Sequence, residues 1–327
     1  MDTKVIKVDT ENFEDALLAA KAIIEAGGVV GIPTETVYGL AANAYDSAAV
    51  FKIFEAKGRP QDNPLIVHVC DYIMMSEVVK SAPESALKLA KEFWPGPLTM
   101  IMPKSDNISD TVTCGLDTVA VRMPSHHVAL ELIRTCGVPL AAPSANVSGY
   151  PSTTTAQHVL EDLNGRIPLI LDGGPCEVGI ESTVISLTEI KTILPDAEIA
   201  PEVFREVGNN EKVSSPGLKH KHYSPKASVI VIEGDTEQFT QYVNEHNELQ
   251  SFALCFFGEQ DKISIPSVAY GGRDDVCSQA RMLFSALRTL DKMNARVIYA
   301  HAPAENDESL GVMNRMIRAA GFKVVRL

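Results

Sequence analysis

The hydrophobic pattern divides the chain into short strands and amphipathic helices. Apolar residues at helical spacing predict a helix over 13–24, ended by Gly27 and Gly28. A second predicted helix follows a cap at Asp46 or Ser47, a third covers about 83–94 and a fourth covers 128–136. Apolar runs predict strands at 5–8, 29–32, 65–69, 98–102, 118–122, 167–171 and 183–187. Because strands and helices do not alternate strictly, we expect a mixed sheet.

The pattern changes after residue 207. Proline, glycine and polar residues without periodicity predict a linker over 208–227. Beyond it, strands at 228–232, 252–256, 297–300 and 323–326 alternate regularly with helices at 237–247, 278–292 and 308–320. This alternation predicts a small Rossmann-like domain with a parallel sheet over 228–327. The predicted fold class is therefore α/β, with a larger domain over 1–207 built on a twisted mixed sheet.

Length and composition fit this division. The chain has 327 residues, which is long for one core. Its net charge of −13 argues against a nucleic-acid coat or a membrane-surface protein, since both usually need a basic excess. No apolar run approaches the roughly 18 residues of a membrane span, and the N-terminus shows no secretion signal. We expect a cytoplasmic protein without a membrane partner and without stable nucleic-acid binding.

The six cysteines are scattered and include no CxxC pair. This spacing is typical of neither a zinc site nor a disulfide framework. Reduced thiols that pack as small hydrophobic side chains are the better interpretation, and they also suit a cytosolic protein.

The stretch 33–64 holds the first candidate chemistry. Thr34 and Thr36 follow a predicted strand, and Lys57 and Arg59 lie one residue apart on a loop that contains glycine and proline. Hydroxyls and cations that face one cavity would suit a polyanionic ligand. The alternative for Lys57 and Arg59 is a solvated pair at a helix C-terminus, where cations are favoured in any case.

Further polar residues recur at predicted strand ends, where α/β proteins bind ligands: His68, Arg122, Ser144, Asn146 and Ser182. Each has a structural alternative. His68 could be a satisfied core histidine, and Arg122 could pair with a carboxylate of the protein or of a ligand. Ser144 and Asn146 could be turn residues that bond their own backbone.

Several common catalytic motifs are missing from the sequence. It contains no GxxxxGK[ST], GxGxxG, HExxH or GxSxG, and no motif pairs a serine or cysteine nucleophile with a base. The residues alone therefore support a cationic, hydroxyl-rich cavity for a small anionic ligand, without a covalent catalyst. They do not name the ligand.

Seven ordered motifs carry a family resemblance: PTETVYGL at 33–40, KGRP at 57–60, FWPGPLT at 93–99, VRMP at 121–124, APSAN at 142–146, DGG at 172–174 and ESTV at 181–184. Together they resemble the YrdC-like family. The proline-containing segment 215–225 and the segments 287–291 and 311–320 are similar to the long-form threonylcarbamoyl-AMP synthases, which add a linker and a small C-terminal domain.

The resemblance implies a nucleotidyl transfer. L-threonine, bicarbonate or CO₂, and ATP would give threonylcarbamoyl-adenylate and pyrophosphate. Other proteins would then transfer the activated group to the adenosine beside the anticodon of certain tRNAs. Mg²⁺ is expected on the triphosphate, with no prosthetic group and no metal held by protein side chains. A carbamate formed on the threonine amine would attack, so the protein need supply only positioning and charge neutralisation.

The resemblance also implies roles for individual residues. Those expected to hold L-threonine are Thr36, His68, Arg122, Ala142 and Ser182. Those expected to face ATP are Lys57 and Arg59, which would be catalytic, together with Asn63, Thr113, Ser144, Asn146 and, from the linker, Tyr223 as a lid. One departure concerns a family arginine, because this chain has Pro195 in its place. Either Lys191, Lys219 or Lys221 substitutes for that arginine, or ATP is held less tightly.

Two other functions stay open at this point. One is a nucleotide- or RNA-binding module without turnover, whose RNA version the acidic charge disfavours. The other is the adenylation of a carbamoyl group from carbamoyl phosphate, as in hydrogenase maturation. Proteins of that kind carry zinc-finger segments, which the cysteine spacing excludes here.

Overall fold

The computed structural model describes residues 2–187 and 222–327. The strands of the first part are β1 (Lys4–Lys7), β2 (Val30–Ile32), β3 (Gly39–Asn43), β4 (Ile66–His68), β5 (Leu98–Pro103), β6 (Thr118–Arg122), β7 (Leu140–Ala141), β8 (Leu169–Asp172) and β9 (Thr183–Ser186). Its helices are α1 (Phe13–Glu25), α2 (Ser47–Lys57), α3 (Tyr72–Val78), α4 (Glu84–Phe93), α5 (Asp110–Thr113), α6 (His127–Cys136) and α7 (Ala156–Leu163).

These strands form one nine-stranded sheet in the order β1-β8-β2-β3-β7-β4-β6-β5-β9. β3 runs antiparallel to both its neighbours, whereas β4 and β6 pair in parallel. The prediction of a mixed sheet is confirmed. The sequence pattern did not predict β3, α3, α5 or α7.

Helix α2 shows how local chemistry brings a cation to the site. The Asp46 side chain accepts hydrogen bonds from the backbone N–H groups of Ala48 and Ala49, so the helix begins where the cap predicts. Gly58 ends it in the left-handed region at φ 61°, which glycine adopts without steric cost. Lys57 is therefore the last helical residue, and the chain turns sharply before Arg59.

The second part is a smaller layered unit. Its strands are β10 (Ser228–Glu233), β11 (Ser251–Cys255), β12 (Ser267–Ala269), β13 (Val297–His301) and β14 (Val324–Arg326), and its helices are α8 (Thr236–Glu245), α9 (Val276–Lys292) and α10 (Leu310–Ala319). All strand pairs are parallel, in the order β12-β11-β13-β10-β14. The predicted parallel sheet is confirmed, with β12 as an additional edge strand.

The two parts share apolar contacts. Val37, from the turn between β2 and β3, packs into the core of the second part with Phe284 and Leu287 of α9, and Ile180 packs against the same core. The turn that carries Thr36 is thus fixed by contacts with both parts of the chain. The predicted boundary at 207 lies outside the described residues, and the boundary at 227, directly before β10, stays a prediction. No helix within the described ranges is long and apolar enough to cross a membrane.

Candidate active site

A small cavity of about 50 Å³ lies where β4, β6 and β7 end. It is lined by Thr34, Thr36, Val37, Gly39, Ile66, His68, Arg122, Ala142, Pro143, Ser144, Glu181 and Ser182. All five residues predicted to hold L-threonine are in this set. The structure therefore brings together residues that are far apart in the sequence.

Arg122, the last residue of β6, is buried at the floor of the cavity. Its Nε donates to the Gly96 carbonyl at 3.2 Å, its Nη1 to the Thr36 hydroxyl at 2.9 Å and its Nη2 to Glu35 Oε1 at 2.5 Å. Arg122 thus pairs with a carboxylate of the protein, which was one of the two partners expected from the sequence. A guanidinium has five N–H donors, so two remain without a partner among the described residues.

His68, the last residue of β4, is buried beside Arg122. Burial and the Arg122 charge lower its pKa to about 3, so the imidazole is neutral near neutral pH. Its Nδ1 has no hydrogen-bond partner among the described residues. Hydrogen bonds with the backbone of Ile66 and Leu140 oppose this lowering of the pKa, so the imidazole is anchored in the sheet and keeps one nitrogen without a partner within the described ranges.

Hydroxyl groups complete the cavity wall. The Thr34 hydroxyl donates to the Val37 carbonyl at 2.6 Å and lies 2.9 Å from the Thr36 hydroxyl, so Thr34 shapes the turn that presents Thr36. The Ser182 hydroxyl lies 2.7 Å from that of Thr99 on β5. Ala142 contributes its backbone, whose N–H donates to the Ile66 carbonyl at 2.9 Å.

Lys57 is buried, with its side chain directed at the loop that contains Ser144 and Asn146. Its ammonium donates to the Ser144 carbonyl, to the Asn146 carbonyl at 2.7 Å and to Asn146 Oδ1 at 3.4 Å. Burial, followed by the neighbouring Arg59, holds the pKa of Lys57 well below its usual range. Lys57 is therefore not a solvated helix-end cation, and its direct contacts are with the loop.

Arg59, predicted to face the nucleotide, is held against the loop that follows it. Its Nη2 donates to the carbonyls of Asn63 at 3.0 Å and Pro64 at 3.3 Å. Burial lowers the pKa of Arg59 to about 10, against the opposing effects of Cys114, Asp62 and Tyr223. At neutral pH the guanidinium is charged.

Two further predicted nucleotide residues lie close to Arg59 in the fold. Thr113 ends α5 next to Cys114, and its buried hydroxyl has no partner within the described ranges. The ring of Tyr223 packs on Phe284 of α9, with centroids 5.2 Å apart. Burial and a hydrogen bond with Glu181 raise the pKa of the Tyr223 phenol. This tyrosine therefore lies near Arg59 and near Glu181, which lines the cavity.

Four residues named for the missing family arginine, Pro195, Lys191, Lys219 and Lys221, lie outside the described residues. The structure instead adds residues that the sequence reasoning missed. Glu35 forms an ion pair with Arg122. Glu181 lines the cavity, and its Oε2 accepts a hydrogen bond from Nε of Arg315 on α10 at 3.2 Å. Glu35 directly precedes Thr36 in the sequence, and Glu181 directly precedes Ser182. This adjacency to predicted site residues is the one feature of the sequence that could have indicated them.

The described ranges contain no group of three or more His, Cys, Asp or Glu side chains that could hold a metal ion.

Comparison with known proteins agrees with this geometry. The Sua5/YciO/YrdC family model, described as telomere recombination, matches residues 22–196, and the model for the threonylcarbamoyl-AMP synthase C-terminal domain matches residues 185–321. A relative from Pyrococcus abyssi, named threonylcarbamoyl-AMP synthase, is 42% identical over 99% of this chain and 100% of its own. The chain belongs to the threonylcarbamoyl-AMP synthase family.

Other members of the threonylcarbamoyl-AMP synthase family support the assignment. The Bacillus subtilis relative of that name is 43% identical over 94% of this chain and 93% of its own. The crystal structure of P. abyssi Sua5 complexed with L-threonine has a TM-score of 0.91 and 39% identity, and it covers 99% of this chain and 100% of that one. The likeness to Escherichia coli YciO, at 22% identity and a TM-score of 0.50, concerns the fold alone.

Proposed function

We propose that this protein synthesises threonylcarbamoyl-AMP from L-threonine, bicarbonate or CO₂, and ATP, with release of pyrophosphate. The observation that carries the proposal is the buried cavity in which Arg122, neutral His68 and the hydroxyls of Thr36 and Ser182 converge. The full-length similarity to a structure complexed with L-threonine supports it. The reaction class is nucleotidyl transfer, and the product would serve the modification of tRNA.

The amino-acid end of the reaction belongs in the cavity. The two N–H donors of Arg122 without a protein partner suit a carboxylate, because a guanidinium can bind both oxygens of that group. Neutral His68 adds no charge, and its Nδ1 is available to a polar group of the ligand. Ala142 and Ser182 close the cavity around a side chain as small as that of threonine.

The nucleotide end belongs at Arg59 and the loop of Ser144 and Asn146. The threonine nitrogen first forms a bond to the carbon of CO₂ and loses a proton. With bicarbonate the same bond forms while a C–O bond of bicarbonate breaks and water leaves. A carbamate oxygen then attacks the α-phosphorus of ATP, and the bond to pyrophosphate breaks. The carbamate is the nucleophile, so Arg59 contributes charge neutralisation and Lys57 holds the loop in place.

Further parts of the proposal concern substrates and cellular context. Mg²⁺ enters with ATP as part of the substrate, since triphosphates bind it through their own oxygens. Transfer proteins would take up the product without a stable complex between this chain and nucleic acid, in keeping with its net charge of −13. All six cysteines are free thiols, which supports the expected cytoplasmic location.

The test is pyrophosphate release by the purified protein with ATP, Mg²⁺ and each amino acid in turn, with and without bicarbonate. We expect release that requires both threonine and bicarbonate. Release that ignores threonine contradicts the proposal, and ATP binding without any release identifies a binding module instead. Release that depends on carbamoyl phosphate would favour the adenylation known from hydrogenase maturation.

A further inference from the structure

The backbone of Val178 and Gly179 lies between the threonine cavity and helix α9 of the second part. The N–H groups of Val178 and Gly179 donate to the carbonyls of Glu35 and Thr36 at 2.8 and 3.1 Å. On the opposite side, a Cβ atom added to Gly179 would lie 2.4 Å from the Cα of Arg281. Helix α9 is therefore in direct contact with the backbone that supports the site, with no room for an intervening side chain.

Arg288, further along α9, reaches from the second part into the first. Its Nη1 and Nη2 each lie 2.9 Å from one carboxylate oxygen of Asp162 on α7. The same guanidinium donates to the carbonyls of Pro151 at 2.5 Å and Ser152 at 3.4 Å. The two side chains are 8% and 10% exposed, so this two-pronged pair is largely shielded from water.

Asp162 connects this arginine to the loop 144–152. Its Oδ2 also accepts the N–H of Val147 at 3.0 Å. From the other side, Lys57 binds the carbonyls of Ser144 and Asn146, and its own carbonyl accepts the N–H of Ser148 at 2.9 Å. The loop is thus held at its start by Lys57, in its middle by Asp162 and at its end by Arg288.

We propose that Arg288 is a positioning residue for the nucleotide site, which it orders through Asp162 and the loop 144–152. The proposal rests on the proposed nucleotide role of Ser144 and Asn146. Removing the guanidinium leaves the shielded Asp162 carboxylate and two carbonyls without this donor, so the loop loses its attachment to α9. None of the hydrogen bonds of Arg288 to described residues reaches Thr36, His68 or Arg122. Ser144, the loop residue that also lines the threonine cavity, keeps its contact with Lys57, so we expect the amino-acid site to be preserved.

The same helix offers a matched control. Lys292, one turn beyond Arg288, pairs with Glu161 at 2.7 Å, and its side chain is 58% exposed. This ion pair joins the same two parts of the chain but has no contact with the loop. An exposed pair of this kind contributes roughly 0–1 kcal/mol to stability.

The experiment measures binding to the full chain by calorimetry, with a non-hydrolysable ATP analogue plus Mg²⁺ and, separately, with L-threonine. We expect Arg288→Ala to weaken analogue binding at least about tenfold, and Arg288→Lys to weaken it less, because lysine keeps the charge but loses the two-pronged geometry. Threonine affinity should stay within about twofold of the wild type, and Lys292→Ala should change neither affinity.

Asp162→Asn provides an independent variant that keeps the side-chain volume. It should weaken analogue binding in the same way. The double variant with Arg288→Ala should lose less affinity than the product of the two single effects, because the two side chains share one contact. Wild-type analogue affinity in both Arg288 variants would overturn the proposal. So would an equal loss of threonine affinity, which would indicate a general loosening of the contact between the two parts.

Both affinities are measured without turnover. A wild-type protein that binds the analogue but forms no adenylate would therefore count against the proposed function alone.

Discussion

Oε1 of Glu35 lies 2.5 Å from Nη2 of Arg122, and the two side chains are 5% and 4% exposed. The buried guanidinium charge is thus compensated by the protein before any ligand enters. Oε2 of Glu35 has no hydrogen-bond partner within the described ranges. A ligand carboxylate would meet an arginine that is fixed in orientation by three contacts, which is what a selective amino-acid site needs.

The first prediction concerns the geometry of this arginine. Arg122→Lys keeps the charge but cannot maintain the contacts to Gly96, Thr36 and Glu35 and also bind a carboxylate with two donors. Loss of a charged hydrogen bond of about 1.5–3 kcal/mol corresponds to a threonine affinity lower by roughly tenfold to a hundredfold. Calorimetric titration with threonine measures it.

Arg134→Lys is the matched control, since the Arg134 side chain is 51% exposed and pairs with Glu131 on the surface of α6. It should leave threonine affinity unchanged. If Arg122→Lys also binds threonine like the wild type, Arg122 serves only to pair with Glu35.

The second prediction concerns acid stability. The pKa of His68 is lowered to about 3 by burial and by Arg122. Below its ordinary pKa of about 6.5 the unfolded chain binds a proton that the folded chain does not, so the free energy of unfolding falls as the pH falls. One such histidine contributes a slope of about 1.4 kcal/mol per pH unit. The pKa of His158 is lowered to about 4, mainly by burial, and acts in the same direction.

His68→Asn should therefore make the loss of stability between about pH 6 and about pH 4 shallower than in the wild type. Urea unfolding at several pH values gives the slope, and His127→Asn, which changes an exposed histidine, is the control. An unchanged slope in His68→Asn would mean that this imidazole is protonated in the folded protein.

The third prediction separates the two neighbouring cations. Lys57→Met leaves the carbonyls of Ser144 and Asn146 without their buried donor, so it should lower both activity and the melting temperature. Arg59→Ala should lose most activity while the protein stays folded, because the role assigned to Arg59 is phosphate binding. Melting curves and turnover are compared for both variants. Arg59→Ala with wild-type turnover would show that this guanidinium only braces the loop at Asn63 and Pro64.

This difference also shows what the sequence could and could not predict. The start and end of α2 follow from Asp46 and Gly58, whose capping chemistry is local. The burial of Lys57 comes from carbonyls 87 and 89 positions away, for which a local pattern carries no signal. β3 was missed for a similar reason, since its alanines and glycine have little strand preference and its structure depends on pairing with β2 and β7.

In the candidate site, too, local motifs were predictable from the sequence, whereas contacts between distant segments were not. Motif resemblance named five residues for L-threonine, and the structure places all five in the lining of one cavity. It did not predict Glu35 as the partner of Arg122 or Arg288 as the partner of Asp162, because each pair joins distant segments. Ion pairs of this kind depend on the packing of the whole chain.

The fourth prediction concerns the lid. Truncation after Val213, a position outside the described residues, would remove Tyr223 but also the core contacts of Val37 with α9. Tyr223→Ala in the full chain is therefore the sharper test. We expect faster release of a fluorescent ATP analogue, roughly tenfold, because a lid acts mainly on the rate of dissociation. Phe257→Ala, at an exposed aromatic residue of the second part, is the control. Equal release rates would make the linker only a tether.

The most direct test of the account is the mass of the product made from ¹³C-bicarbonate, unlabelled L-threonine and ATP. Attack by a threonine-derived carbamate predicts one compound that contains AMP, threonine and a single ¹³C atom, formed in equal amount to pyrophosphate. Omitting threonine should abolish both products. Pyrophosphate formed with AMP alone, or an adenylate without the labelled carbon, would contradict the account.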